Sequence, residues 1–152
     1  MRKVNTAAIE ELEWTYPDGR FAGAGKQVSE ALGRERDSTD VMLRHPFDVE
    51  ILRVLPGKPP YPYHSHSAQW EFYHVISGAG EVRHEGGTTP IGAGDAFLFK
   101  PNEPHQLRND GPEDLIVYVV ADNPFGEAAY YPDDHAWSVP IPHRQRIEPQ
   151  KD

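Results

Sequence analysis

Between residues 47 and 121 apolar and polar positions alternate in short runs, each closed by glycine, proline or asparagine. Residues 48–55, Asp-Val-Glu-Ile-Leu-Arg-Val-Leu, read as a strand stopped by Pro56-Gly57 and the loop Lys-Pro-Pro-Tyr-Pro62. Residues 69–76 are aromatic and β-branched and end at Ser77-Gly78-Ala-Gly80; residues 81–84 restart a strand that runs into Glu85-Gly-Gly87. Ile91-Gly-Ala-Gly-Asp95 introduces a strand at 96–99, Pro101-Asn-Glu-Pro104 turns the chain into another at 105–108, and Asn109-Asp-Gly-Pro112 turns it into an apolar strand at 115–120. At least six strands therefore fit between residues 47 and 121, and short strands at this spacing predict a sandwich or barrel with alternating inward and outward side chains. Upstream the pattern is weaker. Residues 6–12 and 27–32 carry helical signals, separated by a turn-rich stretch at 16–25 that includes Gly23-Ala-Gly25. The tail from Asp122 is punctuated by proline and rich in aromatics, among them Tyr130, Tyr131 and Trp137, which suits wrapping of the barrel or a partner subunit.

Composition narrows the function classes. A chain of 152 residues suits one core. Its 24 acidic and 15 basic residues give a net charge of -9, which repels phosphate backbones and anionic membranes. No apolar run is long enough to span a bilayer, and the start lacks a secretory pattern, so a cytoplasmic protein without nucleic-acid or membrane partners is expected. Cysteine is absent, which excludes disulfides, thiolate ligands and a cysteine nucleophile. Fifteen prolines and 13 glycines disfavour long helices. Ser65 and Ser67 lie in no Gly-x-Ser-x-Gly elbow, and the glycine-rich stretches lack the lysine of a phosphate-binding loop.

The chemistry concentrates in His64-Ser-His-Ser-Ala-Gln-Trp-Glu71. Residues two apart on a strand share a face, so His64 and His66 present two imidazoles to one point. A turn or bulge at Ser67-Ala-Gln would bring Glu71 onto that face, and His105 would add a third imidazole if a barrel brings its strand alongside. Three nitrogens and one oxygen suit a borderline divalent ion, leaving two positions of a six-coordinate metal for water, dioxygen or a chelating substrate. Tyr73 shares the face of Glu71 and Arg53 precedes the metal loop; these two are the candidate catalytic or substrate-facing groups, while Gln106 should face outward. His45, His74, His84, His135 and His143 are expected at the surface or in hydrogen bonds.

These residues resemble the cupins, whose first motif is usually written G(x)5HxH(x)3-4E(x)6G and second G(x)5PxG(x)2H(x)3N. Gly57, His64, His66, Glu71 and Gly78 follow the first with one extra residue after Gly57. Gly94, Pro101, Asn102, His105 and Asn109 follow the second with an extra residue before the proline and two departures in the turn, where Asn102 takes the glycine's place. Asparagine tolerates the left-handed conformation such a turn needs. Glu-Leu-Glu-Trp14, Ala121-Asp-Asn-Pro and Tyr130-Tyr-Pro-Asp133 are similar to a group of small, uncharacterised single-domain bacterial cupins. The resemblance implies an all-β protein with a single cupin-type β-barrel, a jelly roll or double-stranded β-helix. Residues 1–45 would form an N-terminal arm packed on the barrel or a partner subunit, 46–121 the barrel, and 122–152 a C-terminal extension of the same domain. It also implies a divalent ion (Zn, Fe, Mn or Ni) on His64, His66, Glu71 and His105, a small-molecule ligand and a homodimer. Trp70, Phe72 and Ile76, which alternate with the inward Glu71, Tyr73 and Val75, suit a dimer interface. Two functions fit: a metal-dependent isomerase, lyase or dioxygenase acting on a small oxygenated metabolite, or a non-catalytic module binding a sugar or other small ligand.

Overall fold

The computed structural model describes residues 1–141 and 143–147, with side chains through residue 139. Among the described residues the strands run β1 Leu12–Thr15, β2 Ala22–Gln27, β3 Phe47–Val54, β4 Ser65–His66, β5 Glu71–Ser77, β6 Ala79–His84, β7 Gly87–Gly92, β8 Ala96–Phe99, β9 His105–Arg108, β10 Leu115–Asp122, β11 Ala129–Tyr131, β12 Ala136–Ile141 and β13 His143–Ile147. Two single-turn helices, α1 Val28–Ala31 and α2 Val41–Arg44, precede β3. One wall is an antiparallel sheet in the order β1-β2-β3-β10-β5-β8. The other comprises β13-β12-β11-β4 and β7-β6-β9, joined where His64 and His105 exchange both backbone hydrogen bonds, at 3.1 and 2.8 Å. This is the expected all-β barrel.

Strand alternation builds the core. Leu52 and Val54 on β3, Val75 on β5, Leu115 and Val117 on β10 point inward with Val82, Ile91 and Leu107 from the opposite wall. Val54, Val75, Leu115 and Val117 are fully buried, each contributing on the order of 2 kcal/mol through removal of apolar surface from water. The two motifs are locked at their far ends: Gly57 N–H donates to the Asn109 carbonyl at 2.7 Å, and buried Asn109 Nδ2 donates to the carbonyls of Val54 and Glu113. Gly78 closes β5 at φ +80°, where any Cβ would fall 2.4 Å from the Asp114 carbonyl oxygen, so only glycine fits. Asn102 takes φ 65° and donates its N–H to the His66 carbonyl at 2.8 Å, the role expected of it as a glycine substitute.

The N-terminal arm departs from its sequence pattern. Residues 6–12 are not a helix: a single 3-10 turn at Thr6–Ala8 gives way to β1. Gly23-Ala-Gly25 is not a turn but the body of β2, because pairing with β3 outweighs the low strand propensity of Ala and Gly. The small residues are required there, since a Cβ on Gly23 would fall 2.8 Å from the Trp14 ring. β7, hidden in Gly-Thr-Thr-Pro-Ile-Gly, is an edge strand and so accommodates Pro90. Residues 129–147 add three strands beside β4. No helix among the described residues is long and apolar enough to cross a membrane.

Candidate metal centre

His64 and His66 sit on the seam between the two parts of the second wall, His64 paired with His105 and His66 with Ala129 of β11. A bend at Ser67-Ala68 carries the chain to the opposite sheet, so Glu71 approaches from across the barrel rather than along the same sheet. Donor atoms of His64, His66 and Glu71 all lie within 4.8 Å of one another. His105 joins them, with its Nε2 2.7 Å from Glu71 Oε2, while His66 Nε2 is 3.5 Å from Glu71 Oε1. Phe99 stacks flat on the His105 ring at 4.0 Å and fixes its plane.

Each imidazole is held from behind. His64 Nδ1–H donates to the Pro62 carbonyl at 2.8 Å and His105 Nδ1–H to the Glu103 carbonyl at 3.0 Å. His66 Nδ1 meets Glu127 Oε1 at 2.9 Å. A carbonyl can only accept, so Nδ1 carries the proton and Nε2 faces the centre, the arrangement that outer acceptors impose on metal-binding histidines. A bare Nε2 and a carboxylate oxygen at 2.7 Å are two acceptors. They need positive charge between them, either a proton or a cation. The donor set therefore fits a divalent ion. Burial, reinforced by His105 and His66, lowers the His64 pKa to about 3, so that ring is neutral at pH 7 and competent as a ligand. Burial alone would raise Glu71, but positive charge shared with His105 across their 2.7 Å contact, together with the neighbouring imidazoles, outweighs it and holds the carboxyl well below its usual range.

Tyr73 stands in the cluster, donating from Oη to Glu71 Oε2 at 2.9 Å, with His105 Nε2 at 3.3 Å. Burial and the Glu71 charge keep its phenol protonated. Arg53 does not reach the interior. It alternates with Leu52 and Val54 on β3, and its guanidinium pairs with Glu11 at 2.6 Å and Asp114 at 3.3 Å on the other face. Gln106 faces away from the cluster as alternation demands, yet is buried, donating to the Tyr61 carbonyl. His74 lies on the exposed face of β5 and His84 pairs with Thr89; His45 and His135 occupy left-handed positions, and the side chain of His143 lies outside the described residues.

Two carboxylates escape sequence reasoning. Glu127 lies in the tail, where nothing in the local pattern marks it. Glu50 shares the inward phase of Leu52 and Val54 on β3, with its Oε1 shut off from solvent and lacking a hydrogen-bond partner among the described residues. Its charge helps to raise the phenols of Tyr61 and Tyr73, on both of which Glu71 also acts. Burial, reinforced by Asp48 and partly offset by Arg36 and Gln27, pushes the Glu50 carboxyl up to about 7. The folded protein holds this proton to about pH 7, whereas the unfolded chain releases it near 4.5. The resulting stability is complete below pH 4.5 and is lost as pH rises through 7, on the order of 3 kcal/mol in all. Glu50→Gln should thus gain melting temperature over the wild type between about pH 5 and about pH 8, measured after chelator treatment. A gap that stays constant contradicts this placement.

The family described as Cupin domain matches residues 44–121, which is 78 of the 152 residues. The chain belongs to the cupins. No protein of curated function matches it. Among solved structures, a cupin-superfamily sugar phosphate isomerase from Silicibacter pomeroyi is similar over 98% of this chain and 96% of its own, with 23% identity and a TM-score of 0.80. A protein provisionally named a sugar phosphate isomerase from Acidithiobacillus ferrooxidans covers 93% of this chain and 86% of its own at 23% identity and TM-score 0.79. A predicted oxalate decarboxylase from Thermotoga maritima covers 79% and 97% at 20% identity and TM-score 0.64. At these identities the likeness is one of fold, and the fold hosts several chemistries.

Proposed function

We propose that this cupin is a metal-dependent enzyme acting on a small oxygenated metabolite, with His64, His66, Glu71 and His105 holding one divalent ion, Zn, Fe, Mn or Ni. The observation that carries the reading is the convergence of three imidazoles, each fixed through Nδ1, on one buried carboxylate. Bound there, the ion would act as a Lewis acid toward substrate oxygens or, as iron, engage dioxygen. The chain's own residues do the rest. Tyr73 keeps its proton on Oη and orients Glu71. Val75, Leu107 and Val117 belong to the packed apolar core of the barrel. Glu50, on the inward phase of β3 and titrating near neutrality, is a group suited to take up and return a proton if a substrate reaches it; the isomerase, lyase and dioxygenase types all remain within the proposal.

In deuterated buffer, metal-loaded protein should exchange the proton beside the carbonyl in one of a panel of aldoses, ketoses and hydroxy-oxo acids, and His64→Ala should abolish that exchange. Tight retention of one of these compounds without exchange would identify a binding module instead.

The protein is further proposed to be a homodimer. Phe72, Ile76 and Leu98 are 40–48% exposed on the outer face of the six-stranded sheet, with Trp70 beside them. An apolar face of this kind at the β5–β8 end of the sheet suits a second copy. Sedimentation at micromolar concentration should give a dimer that Phe72→Glu dissociates; a monomeric wild type rules it out.

A further inference from the structure

Behind the wall that carries His105 lies a separate charged cavity. On β9, Gln106 and Arg108 face away from the barrel interior and meet Arg83 of β6, which pairs with Gln106 in register. The turn before β2, the loop after β3 and the 3-10 turn at Pro132–Asp134 close around them, leaving a cavity of about 350 Å³. Four cations line it, Arg20, Lys58, Arg83 and Arg108, with Asp110 and Asp133 beside them, and Asp18 just outside takes Arg20 Nε at 2.6 Å.

Neutral groups hold Arg108 and Lys58 in place, whereas Arg20 pairs with Asp18 and Arg83 with Asp133. Gln106 is 5% exposed; its Nε2 donates to the Tyr61 carbonyl at 2.9 Å, which turns its Oε1 toward Arg108 Nε at 3.1 Å. The rest of the Arg108 guanidinium has only a loose neighbour, Glu81 at 3.8 Å. Lys58 Nζ donates to the Gly19 carbonyl, and the Arg83 guanidinium lies 3.8 Å over the Tyr63 ring. Fixing Arg108 through an amide and Lys58 through a carbonyl leaves their charges largely uncompensated, which is how preorganised oxyanion sites are built. Asp133 shows what such a site accepts. Its two oxygens take both terminal nitrogens of Arg83 at 2.6 and 2.8 Å, the fork geometry an oxyanion adopts on arginine. The same carboxyl sits in the field of Arg108 and Arg20, which, after the Arg83 hydrogen bond, hold it below its usual range.

We propose that this cavity binds a small phosphate-class oxyanion, which displaces Asp133 from Arg83 and engages Arg108 and Lys58. The site is distinct from the metal cluster: Gln106 and His105 are successive residues on opposite faces of β9, so the strand separates them. It takes either free phosphate or the phosphoryl group of a phosphorylated metabolite.

The test is calorimetric titration of the purified full-length protein at constant ionic strength with inorganic phosphate and, separately, glycerol 3-phosphate. Saturable binding is expected, weakened roughly tenfold by Arg108→Gln or Lys58→Gln and strengthened several-fold by Asp133→Asn, which removes the built-in competitor. Asp133 is half-exposed at a turn, so a gain of affinity there cannot come from misfolding. His64→Ala, which disables the metal cluster, should leave the phosphate affinity unchanged, separating this site from oxyanion bound to metal. Tighter binding of the ester assigns the site to a phosphorylated metabolite, equal binding to phosphate itself. No saturable binding, or affinities unmoved by both Arg108→Gln and Asp133→Asn, overturns the proposal.

Discussion

Replacing His105 with alanine is expected to lower divalent-metal affinity by roughly 100-fold or more, beyond the 10–100-fold typical of outer-shell losses. His64→Ala should behave alike, and His74→Ala should leave affinity unchanged. The contrast follows from placement. His105 Nε2 is 2.7 Å from Glu71 and its ring is pinned by Phe99 and the Glu103 carbonyl, so its removal deletes a donor already aimed at the centre. His74 shares β5 with Glu71 but is three residues on, on the exposed face. Chelator competition with zinc or cobalt reads the difference, and the melting temperature of chelator-treated protein separates lost ligation from lost fold. Equal effects at His74 and His105 would exclude the site as drawn.

Glu127→Gln is expected to cost about 10–100-fold in metal affinity with little loss of fold. Glu127 is buried, and its carboxylate fixes His66 Nδ1 at 2.9 Å, leaving Nε2 directed inward. The segment is held independently: Ser67 N–H donates to the Ala128 carbonyl at 2.8 Å, the Ala128 N–H to Ser67 Oγ at 2.9 Å, and β11 pairs with β4. An amide at position 127 can still face His66, but without the charge that steadies the ring. Cobalt titration followed by its visible spectrum measures both affinity and ligand field. A wild-type affinity and spectrum in Glu127→Gln would show that the tail has no part in the centre.

These two residues mark the reach of the sequence. His105 was legible because both motifs place ligand types in order around turns that favour glycine or asparagine, and Asn102 adopts that conformation at φ 65°. Glu127 was not, since it reaches His66 through strand pairing between β11 and β4, a long-range event with no local periodicity. Glu50 was hidden for a different reason. Asp-Val-Glu-Ile-Leu-Arg-Val-Leu has apolar residues in both phases, so alternation alone does not say whether Glu50 or Ile51 faces inward. The same ambiguity made Arg53 a candidate, and the structure places it in the outward phase with Glu11 and Asp114. In the arm, Ala-Gly-Ala-Gly reads as turn because its small residues serve packing against Trp14, which the local sequence does not reveal.

The most direct measurement is elemental analysis of untagged protein, with metal content per chain compared between the native form and His64→Ala. Near one equivalent of a divalent metal, lost in the variant, is the result this account predicts, and its identity as iron or as zinc, nickel or manganese would direct the activity screen. No metal in the native protein even after reconstitution, or an equivalent retained by His64→Ala, would contradict it.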